Sequence, residues 1–404
     1  MPEVRPFKAI RPVRDKAYLV ATRSYLSYSE EVLRDKLHNN PYTFLQIIHP
    51  DLPNETQSFG IERYEKVRKR FDEFYDMGIF LKEDQPCFYI YRQVTASNTH
   101  TGVIAAVSVE DYVNGKIKIH EHTLSAREEM FKDYLSVTRF NAEPVLLSHK
   151  PNSEINSWIE QNTLHRAEYE FTSTDKTLHL LWPISEPAAV QNLQSIYFQL
   201  SALYIADGHH RTASSALFYE AFPDIKSSGF FMAMIMDESA MRISSFSRLV
   251  RHTYRSLNAV LRDLSKNFHI ETLETARTRI PKGHFDFYGE GKWHALSPIP
   301  NLRLYEDDPV EGLAPSLLAR YILQNVFDIY DMRTDERLLC EPDLDQGNSI
   351  EKKVNAGLYE YGIRYAPLLA DEVRKVADFS GIMPPKSTYI EPKLRSGLLI
   401  YPLE

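Results

Sequence analysis

Apolar residues recur first with a helical period and then with a strand period. From Phe59 to about Met77, the residues Ile61, Tyr64, Val67, Phe71 and Phe74 fall three and four apart. That spacing predicts an amphipathic helix, stopped by Gly78. Apolar runs at Phe88–Arg92 and Val103–Val109 predict strands. Lys116-Ile117-Lys118-Ile119 alternates as a half-exposed strand does. Ser125 and Glu128 have capping-box spacing, so a helix burying Met130, Phe131 and Tyr134 is expected next. Pro144-Val145-Leu146-Leu147 and Leu178-His179-Leu180-Leu181-Trp182 predict two more strands. The sharpest change of period follows. The apolar run Ala202–Ala206 ends at Asp207-Gly208, and a helix starts at His209 or His210 with Ala213, Ala216 and Leu217 on one face. From about Arg251 another mixed stretch begins, with a helix near Leu317–Val326 and a polar, proline-rich tail over Gly381–Glu404.

Helices and strands are interspersed throughout, so the fold class is α+β. At 404 residues the chain exceeds one ordinary core, and no repeat or low-complexity linker marks a boundary. Element order suggests an N-terminal α+β region at 1–115, a central domain at 116–250 and a C-terminal α+β region at 251–404. The 24 Tyr and 21 Phe argue against extended disorder. A net charge of -8 gives no bulk attraction for a polyanion, so a nucleic-acid partner is disfavoured. Cys87 and Cys340 are the only cysteines, which excludes a disulfide framework or cysteine zinc cluster and fits a reducing cytoplasm. The N-terminus lacks the apolar run of a signal peptide. The longest apolar stretch, Phe230–Met236, is too short to span a bilayer, so no membrane partner is expected.

Asp207-Gly208-His209-His210-Arg211-Thr212 is the strongest chemical signal. A glycine lets backbone approach a ligand closely, and the free amides and dipole of the following helix form an anion site. Arg211 adds a planar fork for phosphate oxygens, Thr212 a hydroxyl, and the two histidines donors near neutral pH. The plain alternative is that Asp207 caps the helix and the histidines lie on its surface. His120-Glu121-His122-Thr123 sits where a strand meets a helix. Glu121 there either takes a proton from a hydroxyl or merely favours the helix dipole. The tail segment Met383–Gly397 packs Lys386, Ser387, Thr388, Lys393 and Arg395 among prolines. It lacks the glycines of a P-loop, and it reads either as phosphate capture or as a solvated loop. His120, His122, His209 and His210, completed by Glu121 or Asp207, also have the residue types of a zinc set. Adjacent histidines on a helix point apart, so no protein-held metal site is expected.

Tyr204-Ile205-Ala206-Asp207-Gly208-His209-His210-Arg211, followed by Met383-Pro384-Pro385-Lys386-Ser387-Thr388 and Glu391-Pro392-Lys393-Leu394-Arg395-Ser396-Gly397-Leu398, resembles domain-of-unknown-function family 1015 along essentially the whole chain. His120-Glu121 with Thr123, His179-Leu180-Leu181-Trp182 and Asp331-Met332-Arg333-Thr334-Asp335 belong to the same likeness. More broadly, the order His-Glu, helix, Pro-Val-Leu strand, then a strand ending in Asp-Gly-His-His-Arg is similar to the ParB/sulfiredoxin superfamily, and within it to the free-serine kinases. The resemblance implies a nucleotide-phosphate site at Asp207, Gly208, His209, His210 and Arg211, with Glu121, beside His120, as catalytic base toward a serine hydroxyl. It implies an insertion between Pro144 and Asp207. Sulfiredoxin chemistry needs a cysteine where this chain has His209.

The expectation is a cytoplasmic phosphotransferase, moving a phosphoryl group between a nucleotide and a small hydroxyl compound such as serine. Mg2+ with ATP or ADP is the implied cofactor. A nucleotide-binding switch protein without kinase activity is the alternative, and a metal-dependent phosphohydrolase a lesser one. Oligomeric state is not legible in the sequence.

Overall fold

The computed structural model describes residues 1–51, 58–300, 302 and 308–404. It is mixed α+β and divides into two units, Met1–Met241 with Pro392–Glu404, and Arg242–Glu391.

The first unit is built on a nine-stranded sheet. Its strands are β1 (Val4–Arg5), β2 (Phe88–Val94), β3 (Thr99–Ser108), β4 (Ile117–Lys118), β5 (Val145–His149), β6 (Tyr169–Thr172), β7 (Leu178–Ile184), β8 (Leu203–Asp207) and β9 (Phe230–Asp237). They lie in the order β4-β8-β5-β9-β3-β2-β7-β6, with β1 alongside β3. The pairs β4/β8 and β5/β9 are parallel, whereas β8/β5 is antiparallel. The interior strands read as unbroken apolar runs because both of their faces are buried. On one face Val145, Leu147, Leu203, Ile205, Ala233 and Ile235 form a single core with Trp158 and Ile159 of α3 (Ser153–Asn162) and with Leu193 and Tyr197 of α4 (Pro187–Phe198).

Helix α1 (Gly60–Asp76) follows its sequence pattern at Val67, Phe71 and Phe74, which are buried, while Ile61 is exposed. Helix α2 (Ser125–Thr138) departs from its pattern in two ways. Ser125 does not cap it; the Thr123 hydroxyl donates to the Glu128 carboxylate instead. The buried residues are Leu135 and Thr138, with Phe131 and Tyr134 half-buried and Met130 exposed. At 100° per residue, 131, 134, 135 and 138 form one stripe, and Met130 lies about 90° off its centre. Helix α5 (His209–Ala221) starts where the change of period places it. Among the described residues, no helix is long and apolar enough to cross a membrane.

The second unit carries a six-stranded antiparallel sheet. Its strands are β10 (Phe246–Val250), β11 (Phe268–Leu273), β12 (Phe285–Gly289), β13 (Lys292–Pro298), β14 (Leu338–Pro342) and β15 (Tyr361–Tyr365), in the order β11-β13-β12-β15-β10-β14. Helix α6 (Leu257–Leu264) and a helical run over 314–327 share a core with Phe285, Phe287 and Ile363. The run has π-helical turns at Leu318–Gln324. Helix α7 (Asn348–Asn355) packs Ile350 with Leu249 and Trp293.

Candidate functional site

Strand β8 delivers Asp207 to one end of the first sheet. Its pairing with β5 slips between Ile205 and Asp207, a bulge that bends the strand before the turn. Gly208 then has φ 101, a conformation that side chains resist. A Cβ there would come within 3.0 Å of the Arg211 guanidinium and 3.4 Å of the Val145 backbone. Glycine therefore serves both the turn and the close approach. No side chain caps the start of α5. The Thr212 amide donates back to Gly208 O at 3.0 Å, the first intrahelical bond of the turn, and the fully buried Thr212 hydroxyl donates to the same carbonyl at 3.3 Å.

Parallel pairing brings the early His-Glu segment to the same end. Leu203 sits opposite Ile117 and Tyr204 opposite Lys118, so Glu121 and Asp207 each emerge three residues beyond paired positions. The rings of His120 and His209 meet edge to face, 4.6 Å between centroids. The Leu124 amide lies 3.5 Å from His210 Nδ1 as its donor. Glu121 is half-buried and His122 exposed.

Arg211 forms an ion pair with Glu143, and a second of its nitrogens lies 3.6 Å from Asp207. Burial works to lower its pKa, but the carboxylates of Glu143 and Asp207 outweigh that and raise it. Lys393, from the tail, lies 3.5 Å from the Asp207 carboxylate. Glu143 has no counterpart in the sequence expectations; the only signal for it is its place directly before the strand that opens at Pro144. The Ser396 hydroxyl also donates to Glu143, at 3.1 Å. Three buried nitrogens here have no hydrogen-bond partner: His120 Nδ1, His209 Nε2 and Arg211 Nε.

Arg395, Lys386 and Ser387 have partners of their own. Arg395 is buried and donates to both Asp175 oxygens, at 2.9 and 2.7 Å, and to the Ser173 hydroxyl. Lys386, Ser387 and Thr388 belong to the second unit. There the Ser387 hydroxyl donates to Pro384 O, the Lys386 ammonium lies 5.5 Å from the Phe246 ring centre, and buried Arg248 donates to the carbonyls of Pro385 and Lys386. Among the described residues no group of three or more His, Cys, Asp or Glu is arranged to hold a metal ion.

Burial pushes the His120 pKa down to about 4, with the Asp207 charge opposing it. Burial also lowers His209 well below its usual value, helped by His120 and His210. Both rings are therefore neutral at pH 7. Unfolded histidine takes a proton near pH 6.5, whereas folded His120 does so only near 4. Between these values the unfolded chain binds more protons, so stability is fully present above about 6.5 and is lost as pH falls through the window. His120 alone should account for about 3 kcal/mol of that loss. Denaturant midpoints from pH 7 to 4 should fall less steeply for His120→Asn than for the parent; parallel slopes would refute the assignment.

A conserved hypothetical protein from Pyrococcus furiosus is 14% identical, covering 71% of this chain and 90% of its own, with a TM-score of 0.36. The free serine kinase in complex with AMP is 14% identical over 71% of this chain and 87% of its own, with a TM-score of 0.38. SbnI with C-terminal truncation from Staphylococcus aureus is 13% identical over 74% and 87%, with a TM-score of 0.41. No curated protein matches the chain. The family described as a protein of unknown function, DUF1015, matches residues 4–320, and the chain belongs to that family.

Proposed function

We propose that this protein is a cytoplasmic phosphotransferase that moves a phosphoryl group between ATP or ADP and a small hydroxyl compound such as serine. In this proposal, residues 116–250 form a ParB/sulfiredoxin-like nucleotide-binding core, flanked by regions 1–115 and 251–404. The observation that carries it is the uncapped start of α5, behind a glycine at φ 101, with the Arg211 guanidinium against that glycine. A helix of 13 residues directs its first backbone amides and the positive end of its dipole there, which suits a phosphate. Arg211, held by Glu143, supplies the planar fork, and Lys393 a second cation. His209, kept neutral by burial, and His210 line the turn, and Thr212 fixes its backbone.

Arg211 and Lys393 are balanced by Glu143 and Asp207, so the protein's own charges leave a polyphosphate unneutralised. That balance, with the half-exposed Asp207 carboxylate as a hard oxygen donor, fits magnesium held mainly by phosphates and one carboxylate. Magnesium bound with the nucleotide would supply charge screening of the transferring group. Glu121 would take the acceptor's hydroxyl proton as the phosphoryl group transfers, and α5 would hold the donor in line.

Arg211→Ala should weaken nucleotide binding by about 1.5–3 kcal/mol, the scale of a charge-assisted hydrogen bond. Titration calorimetry with ATP and ADP reads this directly, and unchanged affinity would remove the phosphate role. Turnover measured with and without serine separates the classes. Stimulation by serine supports transfer, hydrolysis independent of acceptor supports a phosphohydrolase, and binding without turnover supports a switch.

A further inference from the structure

The second unit contains a cavity of about 590 Å³ whose lining includes Tyr254, Arg255, Glu290, Tyr359, Glu360 and Tyr361. That volume lies within the range of small-molecule sites. Its cation is already committed: Arg255 pairs with Asp263 and donates to Val326 O. Among the described residues neither of its two carboxylates forms an ion pair. Glu290 accepts from the Leu257 amide at 3.3 Å, and Glu360 accepts from the Thr253 amide and hydroxyl, all uncharged donors. Tyr361 also lines the cavity and donates its hydroxyl to Arg255 O at 2.5 Å. Burial, then the charges of Glu360 and Glu290, push this phenol up to about 12 against the opposing charge of Arg255.

The aromatic lining is equally particular. Tyr254 is 90% exposed at the rim, and Arg251 lies 6.0 Å from the Tyr359 ring centre while donating to Glu336 O. His252, Tyr254 and Glu290 all have left-handed backbones, with φ of 56, 54 and 48. Such conformations are costly for residues with side chains.

We propose that this cavity binds an aliphatic amine, with its ammonium group between Glu290 and Glu360 and its methylenes against Tyr254 and Tyr359. Carboxylates supply charge-assisted acceptors, and tyrosine faces attract a cation and cover its hydrocarbon. The site lies within the second unit and does not depend on the nucleotide reading.

Titration calorimetry on the full chain, with 1,5-diaminopentane as probe and glutarate as the matched dianion, tests it. The diamine should bind and glutarate should not. Glu290→Gln keeps the acceptor for Leu257 and removes only the charge, so it should weaken diamine binding at least about tenfold. Tyr254→Ala, at an exposed position that folding does not need, should also weaken it. Glutarate binding as well as the diamine, or diamine affinity unchanged in Glu290→Gln, would overturn the proposal.

Discussion

Glu121→Gln should lower turnover by about two to four powers of ten while nucleotide affinity stays as in the parent. The change keeps the side chain's shape and one acceptor oxygen but removes the group that can carry a proton. The phosphate site would be untouched, because its parts come from β8, α5 and the tail, whereas Glu121 follows β4. A hydroxyl attacking a phosphoryl group must lose its proton along the path, and a carboxylate in reach lowers that barrier. The parallel register of β4 and β8 is what brings Glu121 and Asp207 to one end of the sheet. Steady-state turnover with serine and nucleotide, set beside calorimetric affinity, separates the two effects. A variant with full turnover takes Glu121 out of the mechanism, and a variant that loses both binding and turnover makes it structural.

The strand, glycine and helix around Asp207 were legible because everything that turn needs is local. An apolar run, a glycine and a new helical period lie within about fifteen residues, and the strand, the left-handed Gly208 and α5 follow in that order. Helix α1 was legible for the same reason, since its period alone fixes the buried face. Glu143 was not. Its closeness to Arg211 depends on β8 and β5 pairing antiparallel, which sets the start of one strand beside the end of another about sixty residues later. No local pattern encodes such a pairing. Ser125 and Glu128 show the converse, a correct spacing overridden when the Thr123 hydroxyl took the glutamate. In the tail, residue types were visible but destinations were not. Lys393 reaches Asp207, while Arg395 is taken up by Asp175, beyond the end of β6.

Gly397→Ala should destabilise the protein by about 2–4 kcal/mol, the sum of a left-handed backbone penalty and overpacking of a closed core. Gly397 has φ 76, and a Cβ there would lie 2.5 Å from Phe44 Cγ. Phe44 is completely buried, and its ring is bounded by Phe80 and Phe140, each 6.5 Å away between centroids. The ring cannot retreat without disturbing both neighbours, so the backbone at 396–397 must move instead. That backbone is tied on both sides: Gly397 N donates to Ala142 O at 3.0 Å, and Ser396 exchanges two bonds with Thr22. Ser396 also donates to Glu143, the carboxylate that holds Arg211, so displacement should reach the guanidinium and weaken nucleotide binding as well. Gly115→Ala is the control, because Gly115 has φ 72 but nothing within 4 Å of its added Cβ. It should cost only about 1 kcal/mol, the backbone share alone. Denaturant midpoints for the two variants decide the matter: equal losses would mean that packing against Phe44 contributes nothing.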